Sequence, residues 1–352
     1  MTSTTSERTV SEHERPLTPY VGKFYTVAGG VSGSSPAGRA EPDIDLVVDS
    51  VEPVADKVVA ITLRSPAGAG LPAWAPGAHM DLVLPDGRFT QYSLCGDPDD
   101  RHAYRIGVLR SDHADGVSHA VHDLRAGARV QGRGPRNHFA LAPAKSYVFV
   151  AGGIGITPLL PMLRRAESAG IAWTLAYAGR TQSALAFRDE LAQYGDRVTV
   201  WTRDERDDRL DVSALVRDAP DDALIYCCGP ESLMAAAEAA GQRWAPRRVR
   251  TERFAAVPLD RSDDAPIKVR CELSDLSLEV PAGTSILEAA NQAGIATVSS
   301  CGKGICGTCE TVVLDGRPDH RDSVLDEDDK EEGDTMMICV SRAHGPRLVL
   351  DL

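Results

Sequence analysis

Residues 301–309 read Cys301-Gly302-Lys303-Gly304-Ile305-Cys306-Gly307-Thr308-Cys309, and Cys339 follows after an interval of twenty-nine residues. Three thiols in one glycine-rich loop, with a fourth from a distant segment, is the spacing of cysteines that hold a [2Fe-2S] cluster. The same chemistry accounts for the glycines. Cluster sulfurs need close backbone N–H donors, and Gly302, Gly304 and Gly307 can take the positive φ that aims them. The alternatives are a structural zinc site or unrelated buried thiols. Structural zinc commonly uses two closely spaced knuckles, whereas this chain has one C-x-x-C, Cys306 and Cys309.

Around this loop the chain has 352 residues, 43% of them hydrophobic, which at about 150 residues per domain predicts two or three domains. No apolar run approaches the ~18 residues of a membrane helix. Residues 1–14 are Ser/Thr-rich and charged, unlike the apolar core of a signal peptide. A cytoplasmic protein with no membrane partner is expected. Cys95, Cys227, Cys228 and Cys271 show no disulfide-like spacing, which suits a reducing compartment. The net charge of −13 argues against nucleic acid as a partner. Residues 265–352 carry eight Lys/Arg against sixteen Asp/Glu, densest from Asp326 to Asp334. That run reads either as a solvated face or as a steering patch for a basic surface on an electron acceptor.

From Ile44 onward short strands are expected: Asp45 to Val48, Val58 to Arg64, Met80 to Leu84 and Tyr104 to Leu109, separated by turns such as Pro85-Asp86-Gly87. Six to eight of them would close into a small barrel. After Pro143 strands alternate with helices. Tyr147 to Ala151, Ala172 to Ala178, Val198 to Thr202 and Leu224 to Cys228 read as strands, and Leu159 to Ala169 and Ser232 to Gly241 as helices, which predicts a parallel sheet. Past a Pro/Asp-containing linker, strands at Ile267 to Leu273 and Leu278 to Val280 and a helix at Ser285 to Ala293 precede the cysteine loop. The expected division is a tail over 1–41 with one short helix near Tyr20 to Val27, then segments 42–142 and 143–256, a linker over 257–265 and the cluster domain over 266–352.

Two loops carry a nucleotide signal. Gly152-Gly153-Ile154-Gly155-Ile156-Thr157-Pro158 follows an apolar strand. Its glycines let backbone N–H groups approach a pyrophosphate, with Thr157 expected to cap the next helix and Pro158 to open it. Cys228-Gly229-Pro230 ends a second apolar strand. Two such loops on one edge of a parallel sheet form the place where α/β domains bind ligands.

With Gln91-Tyr92-Ser93-Leu94-Cys95, Pro135-Arg136-Asn137-His138-Phe139 and Cys339-Val340-Ser341-Arg342-Ala343, these motifs resemble the phthalate dioxygenase reductase and vanillate demethylase reductase family. That family is a branch of the ferredoxin–NADP reductase superfamily, and the resemblance spans residues 42–352. It implies a multidomain protein, α/β plus all-β: a flavin-binding antiparallel β-barrel, a nucleotide-binding α/β parallel sheet and a C-terminal β-grasp ferredoxin domain. It further implies that Thr157 and Cys228 lie beside the nicotinamide and that Phe254 packs near the flavin ring. The family's flavin motif is Arg-x-Tyr-Ser, and here Thr90 occupies the arginine position before Gln91, Tyr92 and Ser93. Arg88 lies two residues earlier on the same strand face, displaced by about 6.6 Å, and is a candidate replacement. Gly116-Val117-Ser118 is a second candidate phosphate anchor, with Ser118 capping a helix. The resemblance implies FMN, with FAD as the alternative.

Electron count independently demands a flavin. Nicotinamide releases a hydride, two electrons at once, while a [2Fe-2S] cluster accepts one. Flavin is the common organic group that takes hydride and gives electrons singly. Tyr92 is expected to flank its ring and Ser93 to hydrogen-bond near N5. Arg180 and Arg203 follow strands where a cation meets the 2′-phosphate of NADPH, but Asp204 beside them would repel it, so NADH is expected. His119 and His122, with His113 nearby, lack the further ligands a metal site needs. The expected activity is an NADH-dependent reductase that feeds a separate terminal oxygenase. A Rieske non-haem iron oxygenase is the first candidate and a cytochrome P450 the second. A redox sensor without fast turnover, or a free-standing flavin or ferric reductase, are the alternatives.

Overall fold

In the computed structural model, residues 43–111, 116–206 and 208–352 are described; the tail expected over 1–41, its helix and His113 lie outside them. β-Branched and alternating residues from Ile44 onward give β1 (Ile44–Ala55), β2 (Val58–Arg64), β3 (His79–Val83), β4 (Phe89–Ser93), β5 (Ala103–Leu109), helix α1 (Val117–His122) and β6 (Arg129–Arg136). The strands pair antiparallel in the order β4-β3-β6-β1-β2-β5. A bridge between Leu94, just past β4, and Ile106 of β5 closes the sheet into the expected barrel. Alternate residues point inward, and Leu46, Ile61, Leu63, Met80, Tyr104 and Ile106 fill the interior.

The second sheet is parallel: β7 (Ser146–Gly152), α2 (Leu159–Ser168), β8 (Ala172–Gly179), α3 (Arg188–Ala192), β9 (Val198–Thr202), α4 (Val212–Arg217), β10 (Ala223–Cys228), α5 (Glu231–Trp244) and β11 (Val249–Glu252), in the order β11-β10-β7-β8-β9. Its central strands are continuously apolar because both faces are covered. Tyr147, Phe149 and Ala151 of β7 pack on one side with Leu159, Leu163 and Tyr226. Val148 and Val150 pack on the other with Ile225, Val216 and Ala237. The first of these cores also takes Val58, Ala60 and Cys95 from the barrel, so one apolar layer joins the two sheets. Truncating the fully buried Phe149 to alanine would cost about 3–5 kcal/mol.

The C-terminal part contains β12 (Ile267–Cys271), β13 (Leu276–Val280), α6 (Ile286–Gln292), β14 (Glu310–Asp315), β15 (Pro318–Asp319), α7 (Glu327–Glu332), β16 (Thr335–Met337), β17 (Arg342–Ala343) and β18 (Arg347–Leu350). Its main sheet runs β13-β12-β18-β14-β16, with β12 and β18 parallel and the hairpin pairs antiparallel. Ser285 starts α6 by accepting the Glu288 N–H at 3.1 Å. The helix then lays Ile286 and Ala290 on Val269, Leu348 and Met336, the β-grasp arrangement. Each end of the preceding linker is anchored to its own neighbour. Arg253 clamps Glu231 and Glu238 of α5, and the Asp264 carboxylate accepts Arg321 Nη1 at 2.6 Å. Among the described residues no helix is long and apolar enough to cross a membrane.

Candidate functional site

The strand order reverses between β7 and β10, since the chain proceeds from β7 outward through β8 and β9 and then returns to the other side of β7. The crevice beyond the carboxyl ends of β7 and β10 is therefore where an open α/β sheet receives a ligand. Gly152, Gly153 and Gly155 on one side and Cys228, Gly229 and Pro230 on the other line it, as the sequence predicted. A Cβ on Gly229 would lie 2.8 Å from the Gly152 Cα, and one on Gly155 would lie 2.3 Å from the Cys228 carbonyl oxygen. Only glycine permits this backbone approach. Gly153 has a different role: its φ of +53° makes the left-handed turn that glycine takes readily, with open space where a Cβ would stand.

Thr157 does not cap α2. Residues Gly153–Ile156 form a short 3-10 turn, Thr157 closes it by donating Oγ1–H to the Ile154 carbonyl at 3.0 Å, and Pro158 occupies the N-cap without a side-chain bond. The buried Thr157 methyl instead faces the barrel, where a Cβ on Gly107 of β5 would meet it at 2.7 Å. Tyr177 donates to the Gly153 carbonyl at 3.1 Å and fixes the loop from below.

Cys228 and Glu252 are register partners on β10 and β11, and His79 and Ser93 are register partners on β3 and β4. The two pairs meet. Ser93 Oγ donates to Glu252 Oε2 at 3.4 Å, and His79 Nδ1 stands 3.9 Å from Glu252 Oε1. Burial pushes the Glu252 carboxyl up to about 8, against a smaller opposing effect of the Ser93 hydrogen bond. Burial, helped by Arg136 and His138, pushes His79 down to about 3. Burial, with a smaller contribution from neighbouring Glu252, holds the Cys228 thiol well above its ordinary range, so it stays protonated. The sequence reading missed Glu252 and His79. The four-residue β11, Val-Arg-Thr-Glu, has no apolar run to mark it, and its one signal is the position of Glu252 two residues before Phe254.

Tyr92 fits a flavin neighbour. Its hydroxyl is buried without a hydrogen-bond partner among the described residues, a state that costs free energy unless a ligand supplies the partner. Phe254 follows β11 and is 45% exposed. The other flavin candidates are engaged elsewhere. Gln91 Nε2 donates to Asp81 Oδ1 at 3.0 Å. Arg88 pairs with Asp86 at 2.8 Å in the turn before β4. Thr90 stands opposite Leu82. Ser118 is not a cap: Gly116 holds the N-cap of α1, and Ser118 Oγ bonds Ser111 Oγ at 3.1 Å. His119 Nε2 lies 2.7 Å from the Ser111 carbonyl.

The cysteine loop takes the backbone form its sequence predicted, with φ of +62°, +68° and +73° at Gly302, Gly304 and Gly307. Lys303 N–H donates to Cys301 Sγ at 3.2 Å and Thr308 N–H to Cys306 Sγ at 3.5 Å, and the Gly304 backbone supports Cys339. Among the described residues no three His, Cys, Asp or Glu side chains close on one point as a single ion needs. The four thiols fall instead into two hydrogen-bonded pairs, Cys301 with Cys306 and Cys309 with Cys339. In the first pair the Cys301 hydrogen bond draws Cys306 down to about 4. Two thiols for each of two irons is a pairing that a [2Fe-2S] cluster can use.

The acidic run has a use that neither sequence reading anticipated. From the nucleotide-binding part, Arg247 pairs with Asp328 at 2.9 Å and Glu331 at 2.6 Å, and Arg250 pairs with Asp326. Asp328 and Glu331 of α7 and its N-cap Asp326 are thus paired within the chain.

A crevice for a dinucleotide, a buried Ser–Glu–His junction and a two-by-two thiol set within one chain define an oxidoreductase that couples a nicotinamide nucleotide to an iron–sulfur cluster. A family model described as a 2Fe-2S iron-sulfur cluster binding domain matches residues 269–344, and one described as an oxidoreductase NAD-binding domain matches 149–239. Phenoxybenzoate dioxygenase subunit beta of Ectopseudomonas oleovorans is 44% identical over 88% of this chain and 97% of its own. The solved structure of phthalate dioxygenase reductase is 36% identical with a TM-score of 0.63, over 88% of this chain and 98% of its own. An intact type IV self-sufficient cytochrome P450 monooxygenase is 39% identical with a TM-score of 0.84, over 91% of this chain and 43% of its own, so this chain spans less than half of it. The chain belongs to the phthalate dioxygenase reductase and vanillate demethylase reductase family.

Proposed function

We propose that this protein is an NADH-dependent reductase that takes a hydride onto FMN and passes electrons singly through its own [2Fe-2S] cluster to a separate terminal oxygenase of the Rieske type. The observation that carries this reading is the position of His79. One side of its ring faces Glu252, which Ser93 also reaches and which raises Cys228. Two residues further along the same strand, Asp81 accepts the Ser300 hydroxyl of the cluster loop at 2.9 Å. The hydride-receiving face and the cluster loop therefore share one buried junction.

Gly153 and Gly155 hold the pyrophosphate by their backbone, while Thr157, Cys228 and Phe254 bound the nicotinamide and flavin faces. Ser93 orients its hydroxyl at the flavin edge, and Tyr92 packs beside the ring. Glu252, pushed up to about 8 by burial, is protonated at neutral pH. Cys301, Cys306, Cys309 and Cys339 hold the cluster. When bound, the flavin supplies the conversion of a paired to a single electron supply. The boundaries 42–142, 143–256 and 266–352 are proposed for the three working parts. Asp204 lies beyond β9, where the Thr202 hydroxyl keeps its carboxyl below the ordinary range, and a fixed anion there favours NADH over a 2′-phosphate. Cys95, Cys227, Cys228 and Cys271 lie outside the cluster set and form no disulfide, which fits a cytoplasmic location.

A cytochrome P450 is the second candidate acceptor, favoured by the higher TM-score to the self-sufficient monooxygenase. NADH-driven reduction of cytochrome c tests the relay. The reading expects fast reduction that disappears in Cys309→Ser while flavin reduction persists; equal rates in both proteins would support a simple flavin reductase.

A further inference from the structure

Ser300, immediately before the first cluster ligand, reaches the barrel: its hydroxyl donates to Asp81 Oδ2 of β3 at 2.9 Å. The Asp81 side chain is 1% exposed. Its other oxygen accepts Arg136 Nη2 of β6 at 2.6 Å and Gln91 Nε2 of β4 at 3.0 Å. Arg136 neutralises the carboxylate and Gln91 faces it across the β3–β4 register, so the barrel itself holds Asp81 in place. The loop touches the barrel a second time. Gly307, between Cys306 and Cys309, lies under His138, whose Nε2 is 1.9 Å from where a Gly307 Cβ would stand. The barrel thus contacts the loop on both sides of Cys301 and Cys306.

We propose that Asp81 is a positioning residue for flavin-to-cluster electron transfer, acting through Ser300 to seat the cluster loop on the barrel. This rests on the relay proposed above. Hydride delivery uses the opposite side of the junction, at Ser93, Glu252 and Cys228, and does not need the Asp81–Ser300 bond. A hydrogen bond to a buried carboxylate is among the stronger kind, and its loss is expected to weaken the equilibrium constant for seating the loop by about tenfold. A small misplacement of a reacting group is enough to slow a reaction steeply.

The test uses the full chain loaded with flavin and cluster, mixed anaerobically with NADH in a stopped-flow instrument. Ser300→Ala is expected to leave flavin reduction unchanged and slow cluster reduction by about tenfold, with Ser300→Thr restoring the rate. The electron paramagnetic resonance spectrum of the chemically reduced cluster should be unchanged, and amide exchange over residues 298–305 of the oxidised protein should rise. Wild-type cluster reduction in Ser300→Ala overturns the proposal, as does a changed cluster spectrum, because altered ligation would then explain the slowing. Should Ser300→Ala fail to hold a cluster, Asp81→Asn removes the charge from the barrel side; the same slowing supports the proposal and a wild-type rate overturns it. If wild-type protein passes no electrons from NADH to its cluster, the relay reading fails. The exchange measurement then still decides whether Ser300 seats the loop.

Discussion

Ser93 Oγ and Glu252 Oε2 lie 3.4 Å apart, joining the last barrel residue of β4 to the last residue of the parallel sheet. Glu252 is protonated at neutral pH because burial raises it to about 8. With the flavin bound beside Ser93 as proposed, raising the pH through 8 would put a carboxylate next to the group that takes up negative charge. Stopped-flow flavin reduction by NADH is therefore expected to fall above pH 8 in the wild type and to stay level in Glu252→Gln. Ser93→Ala should slow the same step by about tenfold to a hundredfold; an unchanged rate would remove its role.

Stability depends on Glu252 and His79 with opposite signs. Glu252 rises from 4.5 to about 8 on folding, so the native state keeps a proton that the unfolded chain loses, and stability falls as pH rises through that window. His79 drops from 6.5 to about 3, so the unfolded chain binds the extra proton and stability rises with pH up to about 6.5. Urea midpoints of Glu252→Gln and wild type are expected to be close near pH 4.5 and to separate in favour of the variant toward pH 9.

Gly307 takes φ of +73° with the His138 ring where a side chain would go. Gly307→Ala should destabilise the protein by at least about 1–2 kcal/mol from the backbone alone and displace His138 further. The double variant Gly307→Ala/His138→Ala should recover the steric part and leave the backbone part. Thermal midpoints of the four proteins in this cycle measure the split.

Asp204 gives a specificity prediction. Asp204→Asn removes the fixed anion beyond β9 and should raise kcat/KM for NADPH several-fold relative to NADH. An unchanged cofactor ratio would place the discrimination elsewhere.

The parts legible in the sequence were those with strong local patterning. The continuously apolar β7 and β10, their glycine loops and the cysteine spacing each carry their own signal, and all are found where expected. β6 was not expected, because the Arg- and Gly-rich Arg129–Arg136 is only a half-buried strand with a polar face. Thr157 was assigned to a cap because the 3-10 turn before it leaves no composition signal. Glu252 and His79 become functional candidates only when β11 and β3 are brought together, which is tertiary information. The acidic run could not be resolved in advance for the same reason, since Arg247 and Arg250 are remote from it in the chain. Exposed pairs of this kind contribute little singly.

The most direct test is anaerobic addition of NADH to flavin- and iron-replete protein, with the reduced cluster followed by electron paramagnetic resonance. A relay predicts that flavin bleaching is followed by a reduced [2Fe-2S] signal in the wild type, and that Cys339→Ser bleaches its flavin without that signal. A wild-type cluster that stays oxidised while the flavin is fully reduced would contradict it.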